Sequence, residues 1–456
     1  MKRRAFWGAA AGTTAGFVGI SGCNVKNDVS TKAKTGTDHS VLDNNGKLAG
    51  KTLEEIREQY RYDLFDEYIP FHDKYVVDHE YGGFTLSTGW DGPTLSFNKS
   101  AWYEGRGTWT YSFLYDKIDK NPKHLEAARR SVEFVMRHKP EGDDLWPNGF
   151  SREGEVTGEP DKRTYGDMFV ANGFSEYSKA SGEDKYWDIA KETMLKCLRI
   201  MDKPGYYPEA AQGYLGPDAP VLPGGARVQG NWFVLLRLAT QMLESKSDNE
   251  VEDIAARCVD AVMNYHYNPD FDLNNEVLNH DLSRPDNEVA QLVYTGHAIE
   301  TLWMVLYEAV RLKDRALFEL TAERFKRHLE VAWDDVYGGL FRNLRHVDNN
   351  VWDVDKAGWV QMEGLIGLIC IIEHTGAQWA KDFFGRLYPW VMAKYPLKQY
   401  GLPLWIDYAD RWVTFNKGEG GRRAENFHHP RHLMLNLTAF DRMIKRGGKI
   451  SGLFDS

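Results

Sequence analysis

The sequence predicts an all-α protein, an (α/α)6 barrel in which six helical hairpins close into a ring with their long loops on one face. Apolar residues recur with helical periodicity in twelve segments of the 456-residue chain. Short and long connections alternate strictly between these segments, and the long ones are rich in Gly, Pro, Asn and Asp. This alternation turns every long loop to the same side. A repeat of roughly 65 residues is longer than the repeats of TPR or HEAT solenoids, so we favour a closed ring over an open array.

Each predicted helix carries an apolar stripe. In the third, for example, Leu125, Ala128, Val132 and Val135 recur at intervals of three or four residues. The predicted helices span residues 51–78, 102–118, 123–138, 167–182, 184–201, 231–246, 250–267, 296–312, 315–333, 358–376, 377–395 and 429–446. The long loops span residues 79–101, 139–166, 202–230, 268–295, 334–357 and 396–428.

The start of the chain is predicted to lie outside the ring. Residues 1–23 open with a basic run and end at Cys23 after a weakly apolar stretch, which is typical of a lipoprotein export signal with twin-arginine character. A plain secretory signal with an incidental cysteine is the alternative. The polar residues 24–50 indicate a tether, and residues 51–456 a single catalytic domain. We therefore expect an exported protein that contacts a membrane only through a lipid at Cys23, on the periplasmic or cell-surface side.

Composition argues against one class of partner. Acidic residues number 66 and basic residues 56, and the resulting net charge of −10 argues against nucleic-acid binding. The 15 Trp, 23 Tyr and 22 Phe rings suit the C–H faces of sugars, although rings also simply fill cores. Cys197, Cys258 and Cys370 lie in predicted helices and indicate buried thiols rather than disulfides or a metal site.

Side chains capable of acid–base chemistry or hydrogen bonding stand near the start of every second helix. Their spacing is nearly constant, at 61, 64, 66, 66 and 65 residues. A closed repeat brings such positions together, and helix N-termini add a partial positive charge that favours an anionic species. We therefore place the active site where these helices begin. The six residues are Arg106, Asp167, Asn231, His297, Glu363 and His428.

Two of the long loops share a sequence pattern. Residues 78–83 read DHEYGG, and residues 334–339 read DDVYGG. Paired glycines permit positive φ angles, so both segments are predicted to form tight turns that lead into short strands. Their predicted role is structural.

His297 and His428 are the strongest candidates for catalysis. Glu300 follows His297 by three positions, on the same helical face, and is close enough to fix the tautomer of the imidazole. A core or capping histidine paired with a glutamate is the alternative. Pro430 suits the first turn of the last helix and places His428 at its start. Two neutral imidazoles on opposite sides of a substrate can move a proton between its faces.

Arg106 follows Trp102 and Tyr103 at the start of another such helix. An arginine flanked by these rings can hold hydroxyl or carbonyl oxygens while the rings bracket a sugar. The alternative is a structural pair between Arg106 and a glutamate. The adjacent histidines 428 and 429 invite a metal site, but no third ligand stands at the required spacing, so we expect neither a metal nor another cofactor.

Four motifs stand in a fixed order along the chain: residues 102–106 (WYEGR), 296–300 (GHAIE) followed by Trp303, 359–363 (WVQME) and 427–431 (FHHPR). With these motifs the chain resembles the N-acylglucosamine 2-epimerase superfamily, which also includes cellobiose 2-epimerases and aldose–ketose isomerases. The resemblance runs through most of residues 51–446.

The resemblance implies an (α/α)6 barrel and a cofactor-free reaction on a reducing-end sugar. The ring opens, a histidine removes the C2 proton, a cis-enediolate forms, and a second histidine returns a proton to the other face. His297 and His428 correspond to this pair, and Glu300 is implied to orient His297. Arg106 is implied to support the enediolate oxygens. The implied sugar contacts are Trp102, Tyr103, Asn231, Trp359 and Glu363.

The chain also departs from the family pattern. Residues 231–236 lack the histidine that cellobiose epimerases carry in the third inner helix, which makes the chain more similar to the N-acylglucosamine branch. Trp359 stands alone where the family often has two tryptophans, and the loop before the last helix matches poorly. The alternatives are an isomerase of the same superfamily, an (α/α)6 glycoside or unsaturated uronyl hydrolase, and a non-catalytic glycan-binding lipoprotein. The sequence leaves open whether the protein forms a homodimer.

Overall fold

The structure is a computed structural model that describes residues 39–160, 162–206, 215, 219–416 and 422–455. Cys23 and the predicted export signal lie outside the described residues. Within them, twelve long helices follow one another in the predicted order, and short and long connections alternate as expected. The predicted fold class is confirmed.

The twelve helices form two concentric layers. In chain order they are α1 (53–75), α2 (101–118), α3 (Pro122–Met136), α4 (Thr164–Ser181), α5 (Asp184–Met201), α6 (Gln229–Leu243), α7 (249–266), α8 (Thr295–Leu312), α9 (Arg315–Ala332), α10 (Gly358–Thr375), α11 (Gln378–Lys394) and α12 (His428–Lys445). The even-numbered helices are buried on nearly all sides and form the inner ring. The odd-numbered helices bury one face each and surround it.

The inner ring is closed between its first and last helices. Thr110 in α2 donates a hydrogen bond to the carbonyl of Asn426, at 2.8 Å, and the Asn426 amide donates to the carbonyl of Tyr103, at 2.9 Å. The rings of Trp109 and Phe427 meet edge to face with centroids 5.4 Å apart. These contacts join the segment before α12 to α2 and leave no open end that would need a cap.

Glycines allow α2 and α4 to approach closely. A Cβ atom at Gly105 would lie 2.3 Å from the carbonyl oxygen of Phe169, and one at Gly173 would lie 2.4 Å from the carbonyl oxygen of Gly105. Any larger residue would push the two helices apart. This contact fixes the position of Arg106, which directly follows Gly105.

The long loops carry short antiparallel strands on one face of the barrel. The strands are β1 (Ser87–Thr88), β2 (Thr94–Ser96), β3 (Lys99–Ser100), β4 (Pro147–Phe150), β5 (Val156–Pro160), β6 (Arg227–Val228), β7 (Tyr267–Asn268), β8 (Leu273–Asn274), β9 (Val277–Leu278), β10 (Asn343–His346), β11 (Val351–Asp353), β12 (Lys356–Ala357), β13 (Tyr408–Ala409) and β14 (Arg422–Arg423). They form sheets in the orders β14–β1–β2, β3–β4–β5, β6–β9, β7–β8, β10–β11 and β12–β13.

The two DxxYGG loops are turns, as predicted, and each is held by a buried lysine. Both glycines of each pair have positive φ angles. Lys99 donates to the Asp78 carboxylate at 2.9 Å and to the carbonyl of Gly82 at 2.6 Å. Lys356 makes the equivalent contacts in the second turn, where it donates to the Asp334 carboxylate at 2.8 Å and to the carbonyl of Gly338. The two lysines lie at equivalent places in the repeat and tie each turn to the start of the following inner helix.

The folded domain begins earlier than predicted. Val41 and Leu48 are fully or almost fully buried, and the ammonium group of Lys381 in α11 donates to the carbonyls of Ser40 and Leu42. Residues 39–50 therefore pack on the barrel, and the predicted boundary at residue 51 is wrong. The segment is polar on average, and Val41 and Leu48 provide its buried apolar contacts. Among the described residues, no helix has the length and apolarity needed to cross a bilayer.

Candidate active site

A cavity of about 180 Å³ opens among the N-terminal turns of the inner helices. Six of the residues proposed from the sequence line it together. The lining residues are Trp102, Arg106, Tyr165, Phe233, Tyr294, His297, Glu300, Trp359, Tyr408, Arg423 and His428.

His297 enters this cavity from the first turn of α8. Its Nδ1 atom lies 3.0 Å from Oε1 of Glu276, a fully buried carboxylate in the loop between α7 and α8. The rings of Tyr294 and Phe233 contact the imidazole, with centroid distances of 4.3 and 5.2 Å. Because a carboxylate only accepts, the hydrogen bond to Glu276 places the proton of a neutral His297 on Nδ1 and leaves Nε2 unprotonated.

The prediction that Glu300 orients His297 is wrong. Oε1 of Glu300 accepts a 2.5 Å hydrogen bond from Arg431 of α12 and lies 3.9 Å from Nδ1 of His428. The spacing argument considered only one helix. A residue one turn further along α8 is close to the neighbouring inner helices, and the guanidinium of Arg431 attracts its carboxylate.

His428 begins α12 and has a different set of partners. Its Nδ1 atom lies 2.8 Å from Oε1 of Glu363 and 3.2 Å from Nη2 of Arg431. Glu363 also accepts hydrogen bonds from Arg431, at 2.6 Å, and from the indole of Trp303, also at 2.6 Å. Glu363 is fully buried behind His428 and is not on the cavity wall, so the implied contact between Glu363 and a sugar is not supported.

Burial and the neighbouring charges set the protonation of this group. Burial lowers the pKa of His428 to about 3, against the opposing effect of nearby carboxylates. Burial also lowers the pKa of Arg431, but the carboxylates of Glu363 and Glu300 raise it by more, so the guanidinium stays charged. His428 is therefore a neutral imidazole at physiological pH, able to accept a proton.

Glu425 holds the first turn of α12 in place. Its Oε1 atom accepts hydrogen bonds from the backbone N–H groups of Phe427, at 2.9 Å, and His428, at 3.0 Å. Burial raises the pKa of Glu425, but the charges of Arg423 and Arg106 and the hydrogen bond from the backbone of His428 oppose burial, and the net shift is downward. The ionised carboxylate thus satisfies orphan donors at a helix N-terminus.

Arg106 is a buried cation with an aromatic surround. Its guanidinium carbon lies 4.3 Å from the ring centroid of Phe169, 5.0 Å from that of Phe427 and 5.1 Å from that of Trp102. The residue is 5% exposed, and its Nε atom has no hydrogen-bond partner among the described residues. A buried donor of this kind needs a partner, and the cavity is the place where a substrate oxygen can supply one.

Trp359 packs near both histidines. Its ring centroid is 5.9 Å from that of His297 and 5.4 Å from that of His428. The indole packs directly on the backbone of Gly296, where a Cβ atom would come within 2.6 Å of the ring. The glycine before His297 therefore makes room for the tryptophan that contacts both imidazoles.

The other residues proposed from the helix starts have mainly structural contacts. The carboxylate of Asp167 pairs with Lys196 at 2.8 Å, and the amide of Asn231 donates to the hydroxyl of Tyr206 at 3.3 Å. Tyr103 stacks on Trp102, and its hydroxyl accepts a hydrogen bond from Arg423. Asn231 and Tyr103 do not line the cavity, so neither is supported as a direct sugar contact.

Sequence reasoning missed several lining residues and Glu276. Three of these lining residues are aromatic rings beside the proposed helix starts, and no charge marks them in the sequence as site residues: Tyr165, Tyr294 and Phe233. Arg423 comes from the poorly matching loop before α12. One feature of the sequence points to Glu276. It belongs to a polar triplet, residues 274–276, that lies between apolar neighbours, and buried polar residues need specific hydrogen-bond partners.

Three potential metal ligands meet near His428, but a side chain already compensates their charge. Glu300, Glu363 and Nδ1 of His428 lie within 4.8 Å of one another. Nη2 of Arg431 contacts all three, at 2.5, 2.6 and 3.2 Å. A guanidinium in that position would repel a cation, so this group does not fit a metal.

Comparison with known proteins agrees with this architecture. The cellobiose 2-epimerase of Ruminococcus albus is 26% identical over 346 residues, covering 71% of this chain and 82% of that protein. The cellobiose 2-epimerase of Dictyoglomus turgidum is 24% identical over 324 residues, covering 67% and 78%.

Solved structures share the fold. A sugar epimerase from a ruminal bacterium superposes with a TM-score of 0.70 at 19% identity, covering 87% of this chain and all of that one. The cellobiose 2-epimerase of Bacillus thermoamylovorans also gives 0.70, at 16% identity, covering 85% of this chain and all of that one. The N-acylglucosamine 2-epimerase (GlcNAc 2-epimerase) family profile matches residues 82–429, which is most of the chain. The chain therefore belongs to the N-acylglucosamine 2-epimerase family and is an enzyme of the carbohydrate epimerase class.

Proposed function

We propose that the protein inverts C2 of a reducing-end aldose through ring opening and a cis-enediolate, with His297 and His428 as the acid/base pair. One observation carries the proposal. Two imidazoles line one cavity, and the Nδ1 atom of each contacts its own buried carboxylate, Glu276 or Glu363. This arrangement directs both Nε2 atoms to proton transfer with the substrate.

The proton transfers at C2 and the charge on the enediolate each have a matching group in or beside the cavity. Neutral His428 suits removal of the C2 proton, or its return in the opposite direction of reaction. The Glu276 carboxylate can hold the Nδ1 proton of His297 while Nε2 gives or takes a proton. Arg106, with its unsatisfied buried Nε, supplies a donor for the negative charge that develops on the enediolate oxygens.

The cavity wall favours a sugar over other aldehydes. The rings of Trp102, Tyr165 and Trp359 line it, and aromatic faces pack well on the C–H faces of a pyranose. The hydrolase alternative needs two carboxylates facing a glycosidic bond. Glu300 is the single carboxylate on the wall among the described residues, and Arg431 holds it, so the structure does not favour hydrolysis.

Proton exchange tests the proposal whichever sugar is the substrate. Free aldoses, N-acylated aldoses and reducing disaccharides are incubated with enzyme in D2O, and NMR follows loss of the C2 proton and appearance of the epimer. We expect exchange with at least one sugar and its loss in His297→Ala and His428→Ala. Ketose formation would favour an aldose–ketose isomerase, and release of a new reducing end a hydrolase. Inversion without solvent exchange, or full activity in both variants, would refute the proposal.

We also propose that Cys23 is lipidated and that the enzyme is exported. The proposal rests on the sequence of residues 1–23. His39 and Ser40 contact Ile450 and Gly448, beyond the C-terminal end of α12 and therefore opposite the end that lines the cavity. Palmitate labelling and membrane fractionation test the anchor. Label should enter the native protein and be lost in Cys23→Ser, and a soluble, unlabelled native protein would refute the proposal.

A further inference from the structure

We infer that Glu276, and not Glu300, is the positioning residue for His297, so that each of the two imidazoles depends on a carboxylate from a different part of the chain. The inference rests on the proposed function of His297 as an acid/base group. The observation behind it is the 3.0 Å hydrogen bond between Nδ1 of His297 and Oε1 of Glu276.

The backbone around Glu276 holds it in a fixed place. Its N–H donates to the carbonyl of Leu292, at 3.0 Å, and its carbonyl accepts from the N–H of Gln229, at 2.9 Å. The next two residues form β9, which pairs with β6 immediately before α6. Glu276 is therefore anchored between the entrances of two inner helices, α6 and α8, and His297 stands in the first turn of the second.

The neighbouring asparagines rigidify the same segment. Asn274 donates to Oε1 of Gln229 at 3.1 Å, and its N–H donates to the imidazole of His328 at 2.9 Å. Asn275 donates to the carbonyl of Ala290 at 2.8 Å. Both asparagines are fully buried. These buried hydrogen bonds leave the carboxylate of Glu276 little freedom to move, which is what a positioning group requires.

Glu300 is engaged elsewhere. Its carboxylate forms a 2.5 Å ion pair with Arg431, and Arg431 also contacts Glu363 and His428. Glu300 therefore acts on the His428 side of the cavity. The two carboxylates have separate effects: Glu276 fixes the tautomer of His297, and Glu300 keeps Arg431 in place beside His428.

The tautomer of His297 is the direct readout. In protein labelled with 15N-histidine, long-range 1H–15N correlations report whether Nδ1 or Nε2 carries the proton, and the His297→Gln spectrum assigns the signal. We expect the Nδ1–H form in the native protein. The Nε2–H form in the native protein would overturn the inference. This measurement remains valid even if no sugar is turned over, so it separates this inference from the proposed function.

Variants supply the second readout. In Glu276→Gln an amide NH2 can donate to Nδ1 and favour the wrong tautomer, which should lower kcat on the order of 10²–10⁴-fold, as for the comparable replacement in a serine-protease triad. KM should change little, because Glu276 is absent from the cavity wall. Glu276→Asp restores the charge and should recover part of kcat.

Two comparisons complete the test. Glu288→Gln changes an exposed acid in the same loop and should match the native enzyme. Glu300→Gln should lower turnover while leaving the tautomer of His297 unchanged. The inference is overturned if Glu276→Gln retains native kcat and tautomer, or if Glu300→Gln changes the tautomer of His297.

Discussion

Replacing Glu104 with glutamine should remove a pH-dependent cost from the free energy of folding. Glu104 is fully buried in α2, where Oε1 accepts from the N–H of Phe84 at 2.9 Å and Oε2 accepts from the hydroxyl of Ser131 at 2.6 Å. Burial raises its pKa from 4.5 to about 7, against the opposing effect of these hydrogen bonds. In the second copy of the DxxYGG turn, Gln361 takes the equivalent place and binds the N–H of Leu340 at 2.8 Å.

The size of the effect follows from the two pKa values. Because folding raises the pKa of Glu104, its proton stabilises the folded state fully below pH 4.5, and this contribution is lost as the pH rises through about 7. A shift from 4.5 to about 7 corresponds to roughly 3 kcal/mol at high pH. Between pH 5.5 and 8.5 the contribution of Glu104 to the free energy of unfolding should fall by about 2 kcal/mol in the native protein. The Glu104→Gln variant should not show this fall, because its amide does not titrate and can accept from the N–H of Phe84 and donate to the hydroxyl of Ser131.

Urea unfolding at pH 5.5 and 8.5 measures the difference. The stability advantage of Glu104→Gln over the native protein should grow by about 2 kcal/mol between these two pH values. Glu141→Gln, which changes an exposed acid, should follow the native pH dependence. If Glu104→Gln and the native protein show the same pH dependence, Glu104 does not change its protonation as argued, and the assignment of a raised pKa is refuted.

Three further predictions concern the cavity. The imidazole of His428, with its pKa lowered to about 3 by burial, should show no titration by NMR between pH 8 and 5, and a midpoint near 6.5 would contradict the burial argument. Gly296→Ala should displace the indole of Trp359 and lower kcat/KM for C2 exchange on the order of 10–100-fold without unfolding the protein; unchanged kinetics would contradict it. Arg106→Met should raise the melting temperature, because the substitution removes a buried charge, and it should lower kcat about 10²–10³-fold. A fall in both the melting temperature and kcat would instead indicate a structural role for Arg106.

The fold was predictable because its signals are local. Helical periodicity and the alternation of loop lengths lie within short windows of sequence, and both determined the ring. Residues 39–50 were misassigned because only two of them, Val41 and Leu48, supply the apolar contact, and a polar average conceals them. Composition describes a segment as a whole, whereas packing depends on individual side chains.

The site was predictable in position but not in its pairing. The near-constant spacing predicted that Arg106, His297 and His428 lie together, and all three line one cavity. The partners of the histidines could not be read in the same way, because Glu276 comes from a loop and Glu363 from the neighbouring helix. Contacts across the ring depend on the angle at which each helix enters, and sequence spacing does not determine that angle.

The two histidines occupy equivalent corners of the repeat yet have different surroundings. His297 forms its hydrogen bond with the carboxylate of Glu276, whereas His428 faces both Glu363 and the guanidinium of Arg431. Moving a proton from one face of a substrate to the other requires one group that accepts and one that donates. A strictly symmetric pair would have no built-in preference between these roles. The surroundings of His428 break the symmetry, because burial, together with the positive charges of Arg106 and Arg431, lowers the pKa of that imidazole against the opposing effect of nearby carboxylates and keeps it neutral.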